Sequence, residues 1–250
     1  MMNLNRKDYN ILNTYIGQGS PLAPVIFFGN EPGTSGKDII STIKYLKTSK
    51  DKLKIGKCFL LKEYYTYPVN STFARFIARL MLGLEYKDER WFGELSSQGM
   101  IAINSYILKP LSEKNICLVN LRPLPRPTED TWVYSNISKK EYQRNYNFTL
   151  KRHYSDSDKE LRMNIFKEFF KQTKDSLIIG IGNKENKKSF FDILYENSNF
   201  CQINLDSMDI YYEPNYNIIL SDYFDYRSGI KLQGLKELFR VIISRKLMNI

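Results

Sequence analysis

Four short apolar runs most constrain the fold of this chain: Val25–Phe28 (VIFF), Ile116–Val119 (ICLV), Leu177–Ile181 (LIIGI) and Ile218–Leu220 (IIL). They are continuous rather than alternating, as strands covered on both faces must be. Helical patterns lie between and after them. Phe73–Leu84 carries apolar residues at helical spacing, with Arg75 and Arg79 on another face. Ser97–Leu108 is a second helix. Asp158–Lys171 is amphipathic with an acidic first turn and a cap at Ser157 or Asp158, and Gly234–Leu247 ends in a basic turn. Apolar strands alternating with helices predict an α/β fold, a three-layer α/β/α sandwich around a mainly parallel four-stranded central sheet. Ligands of such sheets sit beyond the carboxyl ends of the strands, so the loops after the four runs are the ones to read for function.

The 250 residues hold no Gly/Ser-rich or Pro-rich linker, which predicts a single domain over 1–250. A hydrophobic content of 42% is ample for its core. The net charge of +10 favours a polyanionic partner, although a solvated basic surface explains it equally. Cys58, Cys117 and Cys201 are far apart and form no CxxC pair, so neither zinc nor an iron–sulfur cluster is expected, and Cys117 reads as a buried thiol. The polar start, MMNLNRKDYN, is no signal peptide, and no apolar run approaches the ~20 residues that span a bilayer. The expectation is a cytoplasmic monomer with no membrane, metal or cofactor.

Each loop has a chemical reading and a bland one. After the first run come Gly29, Asn30, Glu31, Pro32 and Gly33, in a glycine-rich turn that is neither a Walker A loop nor GxGxxG. A carboxylate fixed there can orient water or stabilise cationic charge, or it can simply face solvent. After the second run, Asn120 offers a donor and an acceptor suited to a base edge. Arg122 and Arg126, in a loop stiffened by prolines, are placed to meet phosphates or to be solvated. After the third run, Gly182 to Lys188 reads as a helix start that meets phosphate or simply as a charged turn. After the fourth, Ser221, Asp222, Tyr223, Phe224, Tyr226 and Arg227 interleave aromatics with charge, a mixture that can wedge into a base stack or cover the core.

Taken in this order, the loops resemble the uracil-DNA glycosylase superfamily over residues 20–240. VIFFGNEPG is similar to its first motif. ICLVNLRPLPRP is similar to the strand that ends in its base-reading Asn, and its Arg-Pro tail is nearest the iron–sulfur branch. LIIGIGNKE falls where the family has a strand, Gly and a helix. IILSDYFDYRSGI is similar to the last motif, which enters the DNA minor groove. The resemblance implies hydrolysis of an N-glycosidic bond on a flipped base, with DNA as partner and no metal. It makes Glu31, with Asn30 beside it, the catalytic pair that positions water and stabilises the sugar cation. Asn120, Gly29, Pro32 and Gly33 would bind the base. Arg122, Arg126 and the segment Ser221 to Arg227 would contact DNA.

Two departures shape the expected substrate. The last motif of the family opens with a His, and this chain has Ser221-Asp222 there; its one histidine, His153, lies in the charged segment 151–154. Gly33 stands where uracil-specific members carry a Tyr that excludes larger pyrimidines. Together with the segment 37–67, read as an insertion or a second DNA contact, these point to a bulky modified base. A glucosylated hydroxymethylcytosine of phage DNA is one such base, which suggests anti-phage defence rather than ordinary DNA repair. The alternatives are a catalytically inactive module that binds DNA or a modified base, and an unrelated α/β hydrolase or nucleotide-binding protein with a fortuitous GNEPG turn.

Overall fold

The four apolar runs form neighbouring strands at the middle of a much larger sheet. The computed structural model describes residues 1–30, 32, 38–62, 69, 71–127, 131–150, 157–173, 175–196, 198–223 and 231–248. In chain order, the first elements are α1 (Arg6–Thr14), β1 (Tyr15–Gly19), β2 (Val25–Gly29), α2 (Ile39–Thr48), β3 (Lys52–Ile55) and β4 (Cys58–Leu61). Next come α3 (Thr72–Tyr86), a 3-10 turn (Glu89–Phe92), α4 (Ser97–Leu108), α5 (Leu111–Lys114), β5 (Ile116–Asn120), α6 (Lys139–Asn145) and α7 (Ser157–Phe170). The chain then forms β6 (Leu177–Ile181), α8 (Lys184–Leu194), β7 (Cys201–Asn204), β8 (Asp209–Glu213), β9 (Ile218–Ser221) and α9 (Leu232–Ser244).

The expected four-stranded, mainly parallel sheet is corrected to a nine-stranded mixed one, ordered β3-β4-β1-β5-β2-β6-β9-β8-β7. Within it, β5, β2, β6 and β9 run parallel. On one side β1 joins antiparallel to β5, followed by β4 and β3; on the other β8 joins antiparallel to β9, followed by β7. Of the eight pairings four are parallel and four antiparallel. Four of the five added strands escaped the sequence because they are short and carry charges, amides or glycines: YIGQG, KLKI, CQIN and DIYYE; the fifth, CFLL, is a buried apolar run like the central four and was passed over. The described part of 37–67 supplies α2 and the β3–β4 hairpin, so that segment widens the sheet.

Strand alternation divides the apolar residues between two cores. Ile26, Phe28, Val119, Ile178 and Leu220 face one way, under α1, α2, α7 and α8. Val25, Phe27, Leu118, Ile179 and Ile219 face the other, under α3, α4 and α9. Phe28 anchors the first core through edge-on contacts with Phe166, Phe170 and Phe191 at 5.4–5.9 Å. Apolar coverage of both faces is why the central runs contain no polar alternation. Cys117 and Cys58 are buried, and Cys201 is exposed on β7.

The helices keep the read positions, with ordinary shifts at their ends. Ser71 caps α3 through its side chain on the Ala74 amide. Arg75 and Arg79, on the face away from the core, bind the carbonyls of Val69, Trp91 and Gly93. The 3-10 turn is tied to α9 by Glu89, whose carboxylate meets Arg240 at 2.6 and 2.7 Å and Lys236 at 3.0 Å. These partners hold the Glu89 carboxyl down at about 2.

Candidate functional site

The carboxyl ends of β5, β2, β6 and β9 lie along one edge of the sheet. Their spatial order is second, first, third, fourth along the chain, so the winding reverses at β2. Such a reversal leaves a crevice at the strand ends, the usual ligand position in open α/β sheets. Gly29, Asn30, Asn120, Gly182 and Ser221 all fall at this edge.

Gly29 closes β2 directly opposite Asn120, the last residue of β5. A Cβ on Gly29 would stand 3.1 Å from Asn120 Oδ1, so the glycine makes room for the amide. Pairing continues beyond the strands. The amides of Leu121, Arg122 and Arg126 donate to the carbonyls of Gly29, Asn30 and Pro32 at 3.0, 2.7 and 3.0 Å. The two loops expected to share a site are therefore laced together by their backbones. Tyr142 and Tyr134 fix the second loop further: the Leu124 amide donates to the Tyr142 hydroxyl, and Tyr134 donates to the Pro125 carbonyl.

Asn30 is 8% exposed and has both ends of its amide engaged. Its Oδ1 accepts from the Lys187 ammonium, and its Nδ2 donates to the Tyr223 hydroxyl. Lys187, in the first turns of α8, also donates to the Gly182 carbonyl and lies 5.9 Å over the Phe28 ring. Gly182 has φ +71° and sits so close to the Tyr223 ring that a Cβ would overlap it. Both the backbone and the ring thus require glycine there. The Gly182 amide donates to the Ser221 carbonyl at 2.8 Å, which joins the third and fourth loops.

The expected residues divide by role in the fold. The Asn120 side chain has the register of Leu118 and so belongs to the face of α3 and α4. Asn30 engages Lys187 on the opposite, Phe28 side. The two amides therefore share an edge without converging on one point. Ser221 is buried and turns its hydroxyl to the carbonyls of Gly180 and Asp222. Asp222 lies 3.6 Å from Lys184. Arg122 and Arg126, placed in the sequence at a DNA-facing loop surface, are buried, and Arg126 stacks 5.9 Å over Trp132. Pro32 is buried too. Glu31, Gly33, Phe224, Tyr226, Arg227 and His153 lie outside the described residues.

Two cations that were not singled out in the sequence lie at this edge. One is Lys187. The other is Arg162 of α7, which is wholly buried and donates to four carbonyls: Leu121 at 2.9 Å, Asn13 at 3.0 Å, Tyr15 at 2.6 Å and Asn120 at 2.5 Å. Burial drives the Arg162 guanidinium down to about 10, where it still keeps its charge at neutral pH. A signal for both was present in the sequence. Lys187 is three and four residues before Phe190 and Phe191, and Arg162 is four before Phe166, so each cation is in phase with an apolar stripe.

Among the described residues no group of three or more His, Cys, Asp or Glu could hold a metal ion, and no helix is long and apolar enough to cross a membrane. No protein-family model matches the chain, and neither does any curated protein or solved structure.

Proposed function

We propose that this chain is a DNA glycosylase that flips a modified base out of the duplex and hydrolyses its N-glycosidic bond. One observation carries the reading. The strands that lead into the four loops resembling the glycosylase motifs are adjacent and parallel, so the loops begin along one edge, with the base-reading candidate Asn120 packed directly on Gly29 of the first motif. The net charge of +10 supports a nucleic-acid partner.

In this reading Glu31 activates water and stabilises the sugar cation, while Asn120 hydrogen-bonds the extruded base. Asn30 serves as a structural joint, because both ends of its amide are engaged. That engagement also favours the second reading, a module that recognises a base without hydrolysing it.

The test is alkali-induced strand cleavage of duplexes carrying uracil, hydroxymethylcytosine or its glucosylated form. The parent protein is expected to generate abasic sites in at least one duplex. Glu31→Gln should slow this by about 10²–10⁴-fold while DNA binding persists. A parent protein that binds DNA yet produces no abasic site in any of the three duplexes supports the binding module and ends the enzymatic reading.

A further inference from the structure

The edge of the sheet opposite the crevice carries a hollow of its own. It lies where α7 and α8 end, beside the starts of β6 and β9. Its volume of about 430 Å³ falls within the range of about 300–1,000 Å³ that small-molecule sites occupy. The floor is apolar: Phe170 and Leu194 come from the two helices and Ile178 from β6, and all three are buried. One wall is aromatic. The rings of Tyr195, at the end of α8, and Tyr216, in the turn before β9, stack with centroids 3.8 Å apart and planes 9° from parallel. Lys167 and Lys171 stand at the rim, one helical turn apart on the exposed face of α7. We infer that this hollow is a binding site for a nucleotide, with the base stacked against the tyrosine pair and the phosphate held by the two lysines.

The site is independent of the glycosylase reading. Lys171 meets Glu168 at 2.9 Å, an exposed pair that binds weakly, and Lys167 pairs with no carboxylate among the described residues. The turn that carries Tyr216 is fixed from behind by Glu213. That carboxylate is fully buried and accepts from the amides of Tyr216 and Asn199 at 2.7 and 3.1 Å and from Asn215 Nδ2 at 3.1 Å. Anchoring Nδ2 leaves Asn215 Oδ1 as an acceptor for a base N–H. Burial, Tyr216 and Glu213 push the Tyr195 hydroxyl up, so it stays a neutral donor at physiological pH. Helix carboxyl ends disfavour anions, and two of them border the hollow. Their last carbonyls are occupied: those of Lys167, Phe169 and Phe170 accept from the amides of Lys171, Gln172 and Thr173, and that of Phe191 from the amide of Tyr195. The two ammonium groups are the charged side chains that line the hollow among the described residues. An alkyl acid would use the floor and the lysines but leave the flat wall and Asn215 without a partner. A base uses both, since any base offers a face to an aromatic ring.

The test is titration of the nitrogen-15-labelled full chain with adenosine monophosphate, followed by calorimetry and amide NMR. Adenosine, inorganic phosphate and octanoate are the comparisons. Adenosine monophosphate should shift the amides of Thr173, Leu194 and Tyr216 and leave those of Gly29 and Asn120, at the other edge, unmoved. It should bind about 10-fold more tightly than adenosine, the reach of one charge-assisted hydrogen bond. Inorganic phosphate and octanoate, which lack the ring, should bind more weakly than the nucleotide. Lys167→Gln combined with Lys171→Gln changes two exposed positions and should bring the nucleotide down to the affinity of adenosine. Tyr216→Leu should weaken nucleotide and adenosine alike; if that variant does not fold, the lysine pair decides alone. A nucleotide that does not bind, or binds no better than adenosine, overturns the inference. So does an affinity that survives loss of both lysines, or shifts centred on Gly29 and Asn120. Octanoate that matches the nucleotide overturns it as well, because the ring then contributes nothing.

Discussion

At the residue scale, the clearest feature is a long cation taken into the interior to serve backbone oxygens. Arg162 joins the start of β1 to the end of β5 by donating to carbonyls of residues 13, 15, 120 and 121. Arginine suits this because its planar fork presents several donors at fixed angles, whereas lysine offers one compact point. Arg162→Met keeps the bulk and strips the donors, leaving buried carbonyls without that partner. The expected loss is about 3–5 kcal/mol, read as a fall in the urea midpoint, with Arg162→Lys in between. A methionine variant within about 1 kcal/mol of the parent would show that the four bonds are dispensable. Phase with Phe166, or with Phe190 and Phe191, marked Arg162 and Lys187 as facing the core, but the groups each meets depend on which strands end beneath it. Asn30 and Asn120 were legible because each follows an apolar run, which fixes its place at a strand end. Their opposed orientations were not, since that depends on the register of β2 against β5.

Among the elements, the four central strands could be read directly; of the outer five, β4 (CFLL) carries the same apolar signature and the other four do not. A strand covered on both faces has to be apolar throughout, and VIFF or ICLV carries that requirement in its composition. β1 has no such signature. Gly19 lies against the Ile116 carbonyl, where a Cβ would come within 2.7 Å, so β1 buys its place beside β5 with glycine rather than with apolar bulk. The 3-10 turn and α9 make a second kind of junction, through exposed charges. Glu89 titrates at about 2 when folded, below its ordinary 4.5, so its pairing with Arg240 and Lys236 stabilises the fold fully above pH 4.5 and is lost as pH falls toward 2. Glu89→Gln should therefore lower the thermal midpoint at pH 7, with the difference closing by pH 2. High salt should narrow it as well, since these side chains are partly exposed. A difference independent of both pH and salt would assign Glu89 to packing instead.

For the whole molecule, charge and topology set the expectations. With a net +10, binding to DNA should weaken steeply with salt, the logarithm of affinity falling linearly with the logarithm of salt by about 0.9 for each phosphate engaged. Fluorescence anisotropy between ~50 and ~200 mM salt measures that slope, and a flat response would remove phosphates from the interface. Because Arg122 and Arg126 are buried, this slope should come from other basic residues and should be unchanged when either loop arginine is substituted. The order of the sheet also bears on how the chain reaches this state. β1 can pair with β4 once residues 58–61 have emerged, but β2 lies between β5 and β6, so its partners come only with residues 116–120 and 177–181. Until then the apolar stretch 25–28 has no mate on either edge. Separations of that length close slowly, and mixed sheets of this kind fold in about milliseconds to seconds rather than microseconds. During synthesis β2 is thus a sticky, unpaired strand, and production of the chain depends on how long that interval lasts.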